Sequence, residues 1–100
     1  MVKHVILWTI DEKFSSDEKQ KIMQEAKAAL EALKGKVPGL LDITLQTEKL
    51  PSSNADMMLD STLESEEALK GYQVHPDHVA AANNFVRPYT SQRLCLDFEI

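Results

Sequence analysis

The hydrophobic pattern opens with Val2 to Ile10, a run free of glycine and proline and rich in β-branched and aromatic side chains, which suits a strand. Its two parities are both apolar. His4, Ile6, Trp8 and Ile10 point one way, and Val5, Leu7 and Thr9 the other. A strand apolar on both sides is covered on both sides. A helix follows. Ser15-Ser16-Asp17-Glu18 reads as a Ser-x-x-Glu capping box, with Phe14 as the staple before it. Ile22, Ala26, Leu30 and Leu33 form its inward stripe, widened by Met23 and Ala29. Lys34-Gly35-Lys36 gives a basic last turn and a stop, and Pro38 a breaker.

Leu40 to Leu50 alternates as a second strand, with Leu41, Ile43, Leu45 and Thr47 on one face. Pro51-Ser52-Ser53-Asn54 is a turn cluster. Met57 to Glu64 is a third strand, with Met57, Leu59, Ser61 and Leu63 together. A two-part helical segment comes next. Ser65 caps Glu66 to Lys70, which stops at Gly71-Tyr72, and His75-Pro76 opens the second piece. Val79, Ala82 and Phe85 or Val86 form the stripe of that piece, and Pro88 ends it. Residues 90–100 close the chain as a fourth strand, with Leu94, Leu96, Phe98 and Ile100 opposite Arg93, Cys95, Asp97 and Glu99. The order is βαββαβ, an α+β ferredoxin-like arrangement with a four-stranded antiparallel sheet carrying its helices on one face. Helices on one face leave the other apolar and open. A second copy packed sheet to sheet closes it, so a homodimeric α/β barrel is expected.

The length of 100 residues fits one domain, residues 1–100. The formal net charge is -5, and residues 11–36 balance six acids against six lysines. That balance argues against nucleic-acid partners. No apolar run approaches the ~20 residues of a membrane span, and the opening residues do not read as a signal peptide, so no membrane partner and a cytoplasmic location are expected. One cysteine excludes a disulfide framework and a cysteine-based zinc site. The three histidines lack metal-ligand spacing and nothing marks a haem ligand, so no metal and no cofactor are expected.

Two segments carry a resemblance. Met1-Val2-Lys3-His4-Val5-Ile6-Leu7-Trp8 and Ser65-Glu66-Glu67-Ala68-Leu69-Lys70-Gly71-Tyr72-Gln73-Val74-His75-Pro76-Asp77-His78-Val79 resemble the stress-responsive dimeric α/β barrel (Dabb) family over essentially the whole chain. The resemblance implies a ferredoxin-like protomer that dimerises through its sheets. Family members are mostly bacterial and plant proteins of unassigned activity, some of them stress-associated and stable oligomers. One branch, plant polyketide cyclases of the olivetolic acid cyclase type, closes a linear tetraketide by an aldol step. There a histidine acts as base and a tyrosine holds the substrate. The matching positions are His78 and Tyr72, with His4 as the pocket-facing strand histidine. The first helix differs, offering Met23, Gln24, Ala26 and Lys27 where the cyclase has bulky aromatics.

The residues themselves leave alternatives open. His78, in a first helical turn, is either a neutral general base or a half-buried histidine serving a backbone group. His75 either caps the helix or reaches the pocket mouth. His4 needs a hydrogen-bond partner beneath the helices, from Tyr72, His78 or Asp97. Tyr72 either packs in the core or presents its hydroxyl inward. Ile6, Trp8 and Leu59 are core residues that would wall any cavity there. Asp97 either orients a histidine or is a solvated strand carboxylate, and Cys95 reads as a buried inert thiol. The expected ligand-binding set is therefore His4, Ile6, Trp8, Leu59 and His75, and the expected catalytic pair His78 and Tyr72. Two functions compete. One is a cofactor-free cyclase, lyase or isomerase acting on a small organic molecule, with His78 as base. The other is a non-catalytic, stress-associated oligomeric or ligand-binding protein. A catalytic pocket should offer ~300 Å³ or more.

Overall fold

The computed structural model describes residues 1–100 and shows β1 (Val2–Ile10), α1 (Ser16–Glu31), β2 (Leu40–Gln46), β3 (Met57–Leu63), α2 (Glu66–Val74), α3 (Pro76–Phe85) and β4 (Thr90–Glu99). The strands form one antiparallel sheet in the order β2-β3-β1-β4, with β1 and β3 inside and β2 and β4 at the edges. This is the ferredoxin-like arrangement expected from the βαββαβ order.

The parity of β1 decides where the core sits. Val2, His4, Ile6, Trp8 and Ile10 are buried beneath the helices, together with Met57, Leu59, Ser61 and Leu63 of β3. Ile22, Met23, Ala26 and Leu30 of α1 and Leu69 and Tyr72 of α2 close over them. Each large aliphatic buried in this way contributes about 1.5–3 kcal/mol. Ser61 is tolerated in that layer because its hydroxyl donates to the His4 carbonyl at 2.9 Å.

Several boundaries differ from the pattern, each for a local reason. α1 ends at Glu31 rather than at the basic turn, because its last turn tightens into a bond from Leu33 N to the Leu30 carbonyl. The Glu31 carboxylate also accepts from Leu45 N at 2.9 Å and from Lys27 at 2.7 Å, tying the helix end to β2. β2 stops at Gln46, so Thr47 to Leu50 are loop. A register shift between Leu40 and Asp42 turns Leu41 outward, so Leu40 rather than Leu41 joins Ile43 and Leu45 inside. α2 runs through Gly71, where an added Cβ would meet nothing, and continues to Val74. The break falls at His75 instead, extended at ψ 133, as expected of the residue before Pro76. In α3, Ala81 and Ala82 are buried, as is Val86 just beyond it, while Val79 and Phe85 are half-buried. Gly39 is required by its φ of +80 and by Ala68, whose Cβ would lie 2.5 Å from a Cβ added there.

The opposite sheet face is bare in a single chain. Leu7 is 38% exposed, Phe98 43%, Leu96 65% and Leu94 71%. Along β4 every residue from Ser91 onward is exposed on either parity. No helix is long and apolar enough to cross a membrane.

Candidate functional site

A cavity of about 90 Å³ lies between the sheet and the helices. His4, Ile6, Trp8, Leu59, Tyr72 and His78 all line it, from β1, β3, α2 and α3. Six of the seven residues singled out in the sequence therefore meet at one place. His75 does not line it. Its Nδ1 accepts from Asp77 N at 3.1 Å, so the side chain is engaged as the cap of α3.

Tyr72 is fully buried, and its hydroxyl has no hydrogen-bond partner in the protein. Burial raises its pKa well above the ordinary phenol value, so the hydroxyl remains a donor. Its ring lies 4.3 Å from the ring of His78 and 5.9 Å from that of His4. The geometry thus holds a phenol between two imidazoles, with the proton of the phenol unused.

His78 sits in the first turn of α3. Its Nδ1 lies 3.2 Å from the Gln73 carbonyl, which can only accept, so Nδ1 carries the proton and Nε2 is left as the acceptor. Burial pushes its pKa below the ordinary histidine value; the Gln73 contact opposes this, and the charges of Arg87, His4 and Arg93 add to it. A neutral imidazole with a free lone pair at neutral pH follows.

His4 is 1% exposed and bonds through Nδ1 to Asp97 across the β1–β4 pairing, in which the two residues are directly opposite. Asp97 is thus a histidine-orienting carboxylate rather than a merely solvated one. Cys95 is exposed, not buried as its sequence context suggested, because no helix covers β4. Its Sγ lies 3.7 Å from His4 Nδ1 and 3.5 Å from Asp97 Oδ1. Partial desolvation and the Asp97 carboxylate push the thiol pKa up, which opposes a nucleophilic role. His4, Cys95 and Asp97 bring one donor atom each within 4.8 Å of one another, the one such trio in the protein. His4 and Asp97 satisfy each other directly, so the trio needs no cation to explain it.

Sequence reasoning missed Gln73, Arg87, Thr90 and Arg93, which also line the cavity. The parity of β4 put Arg93 with Asp97, but only the β1–β4 register places that face beside His4 and Trp8. Arg87 sits in the turn after α3 and carries no sequence signal for the site.

The geometry can be set beside known proteins. No curated protein significantly matches the sequence. The chain is similar to a dimeric protein of unknown function with a ferredoxin-like fold from Bacteroides fragilis, at 29% identity and TM-score 0.92, covering 99% of this chain and 95% of that one. It is also similar to a dimeric ferredoxin-like protein of unknown function from Thermobifida fusca, at 24% identity and TM-score 0.82, covering 99% and 90%. A hydroxynitrile lyase from Passiflora edulis shares the fold at 16% identity and TM-score 0.74, covering 99% and 92%. The family model for the stress responsive A/B barrel domain matches residues 2–100. With its βαββαβ order, its antiparallel sheet and this match over nearly its whole length, the chain belongs to the stress-responsive A/B barrel (Dabb) family.

Proposed function

We propose that the chain is one domain over residues 1–100, that it works as a homodimer joined through the open sheet face, and that its cavity binds a small carbonyl compound. The observation that carries the ligand reading is the Tyr72 hydroxyl, a fully buried donor without an acceptor. Leaving such a group unsatisfied costs about 1–3 kcal/mol, which a carbonyl oxygen in the cavity would recover. At about 90 Å³ the cavity falls short of the ~300 Å³ expected from the sequence for a catalytic pocket. A dry cavity of about 150 Å³ takes benzene, so 90 Å³ suits a ligand with only a few non-hydrogen atoms inside. Trp8, Ile6 and Leu59 give it apolar walls.

The chemistry is cofactor-free proton transfer of the lyase, isomerase or cyclase kind. His78 Nε2 removes a proton α to the carbonyl or from a hydroxyl. The electron pair moves onto the carbonyl oxygen or expels a leaving group, and Tyr72 donates to the oxygen as charge develops. The imidazolium then returns the proton. Neutral His78 and protonated Tyr72 are the states this scheme requires. His4, held by Asp97, fixes the floor against which the Tyr72 ring packs edge-on. The test is exchange of α-protons of small aldehydes and ketones into deuterated water. Acceleration by the protein, lost in His78→Ala, supports the reading, and background exchange with every small carbonyl tried counts against it.

The sheet-to-sheet dimer is supported by the exposed Leu94, Leu96, Phe98 and Leu7 and by the dimeric relatives. The same patch favours the second reading, a stress-associated protein whose role lies in assembly or ligand storage without turnover. Saturable carbonyl binding with no exchange would select it.

A further inference from the structure

The chain contains two arginines, Arg87 and Arg93, and both line the cavity. The protein carries 16 aspartates and glutamates and a net charge of -5, yet none of those acids is a lining residue. Six ion pairs decorate the fold, formed by lysines and the N-terminus, and neither arginine takes part. Arg87 donates one Nη1 bond to Asn83, which anchors the guanidinium without neutralising it. Both arginines are exposed whereas Tyr72 and His4 are buried, so the cations mark the solvent side of the cavity and the phenol its floor.

Two uncompensated guanidinium groups at one opening, in an otherwise acidic molecule, create a local positive field. Their planar donor forks match a carboxylate better than any neutral group. We infer that the ligand of this cavity is a small oxo-carboxylate, its carboxylate held at the mouth by Arg87 and Arg93 and its carbonyl directed inward to Tyr72. This rests on the carbonyl reading above and names the substrate class for it. The size agrees, because only the carbonyl end must enter the 90 Å³ void. The carboxylate also explains selectivity: a neutral aldehyde gains the Tyr72 bond alone.

The experiment compares pyruvate with pyruvamide, matched in shape and differing in charge, by NMR titration of the intact protein at low ionic strength. Pyruvate should bind roughly tenfold tighter or better, as two charge-assisted contacts imply. The preference should shrink as salt is added, and it should fall to a few-fold or less in Arg87→Gln and in Arg93→Gln. Both positions are exposed, and circular dichroism checks that the variants fold. Equal binding of the two compounds would overturn the carboxylate assignment while leaving the carbonyl site standing. So would a preference that survives in the double Gln variant. Binding of neither compound by the folded protein would remove both.

Discussion

The rings of Tyr72 and His78 lie 4.3 Å apart with their planes tilted by 39°, one supplied by α2 and the other by α3. The contact exists because His75 breaks the helical path ahead of Pro76 and swings α3 so that its first turn faces the end of α2. A single continuous helix would separate the two rings by more than a turn, since six residues at 1.5 Å rise span about 9 Å. The break at the proline is therefore what assembles the donor and the base.

Tyr72→Phe removes a buried hydroxyl that the protein itself does not satisfy. The ligand-free variant should be as stable as the parent or more stable by about 1 kcal/mol, seen as a rise in the urea midpoint at unchanged m-value. Binding of carbonyl compounds should weaken by about tenfold in the same variant. A loss of stability would mean that the hydroxyl has a structural partner.

His78 yields two pH predictions. Its folded pKa lies below the ordinary 6.5, so the base form persists to mildly acidic pH, and any proton-transfer rate should fall only below 6.5. For stability, the unfolded chain takes up the His78 proton first as pH falls. The folded state therefore loses stability between about 6.5 and the folded pKa and levels off below it. NMR titration of the ring proton, with His78→Asn as the control that loses this part of the slope, checks both.

Asp97→Asn replaces the carboxylate that holds buried His4. The Asp97 side chain is 35% exposed, so the cost should fall at the low end of the usual range, about 1 kcal/mol. A moved His4 Nδ1 nitrogen shift should report the loss of the Asp97 contact.

Leu96→Asp places a charge on the bare sheet face, next to Val5 across the β1–β4 pairing. Sedimentation velocity should show the parent as a dimer and the variant as a folded monomer. A parent that sediments as a monomer at micromolar concentration would contradict the sheet-to-sheet assembly.

Gly39→Ala should cost more than Gly35→Ala. Both glycines have positive φ, +80 and +85, so both substitutions pay about 1 kcal/mol in backbone conformation. Only at Gly39 does the new Cβ also collide with Ala68, at 2.5 Å. Thermal melts of the two variants should differ by several degrees.

Local periodicity made most of the fold legible. The inward parity of β1 and β3, the capping box at Ser15 and the start of α3 at Pro76 are all fixed by neighbours in sequence. What could not be read depends on partners distant in the chain. The outward turn of Leu41 follows from the β2–β3 register shift, and the tie of the α1 end to β2 from the bond of Leu45 N to the Glu31 carboxylate. Gly71 looked like a stop, yet Leu69 and Tyr72 anchor that turn on the core and carry the helix through it. The site divides in the same way. His4, Tyr72 and His78 stand out as chemistry-bearing residues at core positions, whereas the His4–Asp97 bond and the exposure of Cys95 appear only once β4 is aligned on β1 and left uncovered. Arg87 carries no local signal, and the parity of Arg93 points to the site only once β4 is aligned on β1.

The most direct test of the account is a ligand titration followed by amide and side-chain shifts in the intact protein, using a small oxo-carboxylate and reading His4, Tyr72 and His78. Saturable shifts confined to these residues and their cavity neighbours, weakened about tenfold by Tyr72→Phe, are expected. Saturable shifts elsewhere with none at Tyr72, or equal affinity of the parent and the phenylalanine variant, would contradict it.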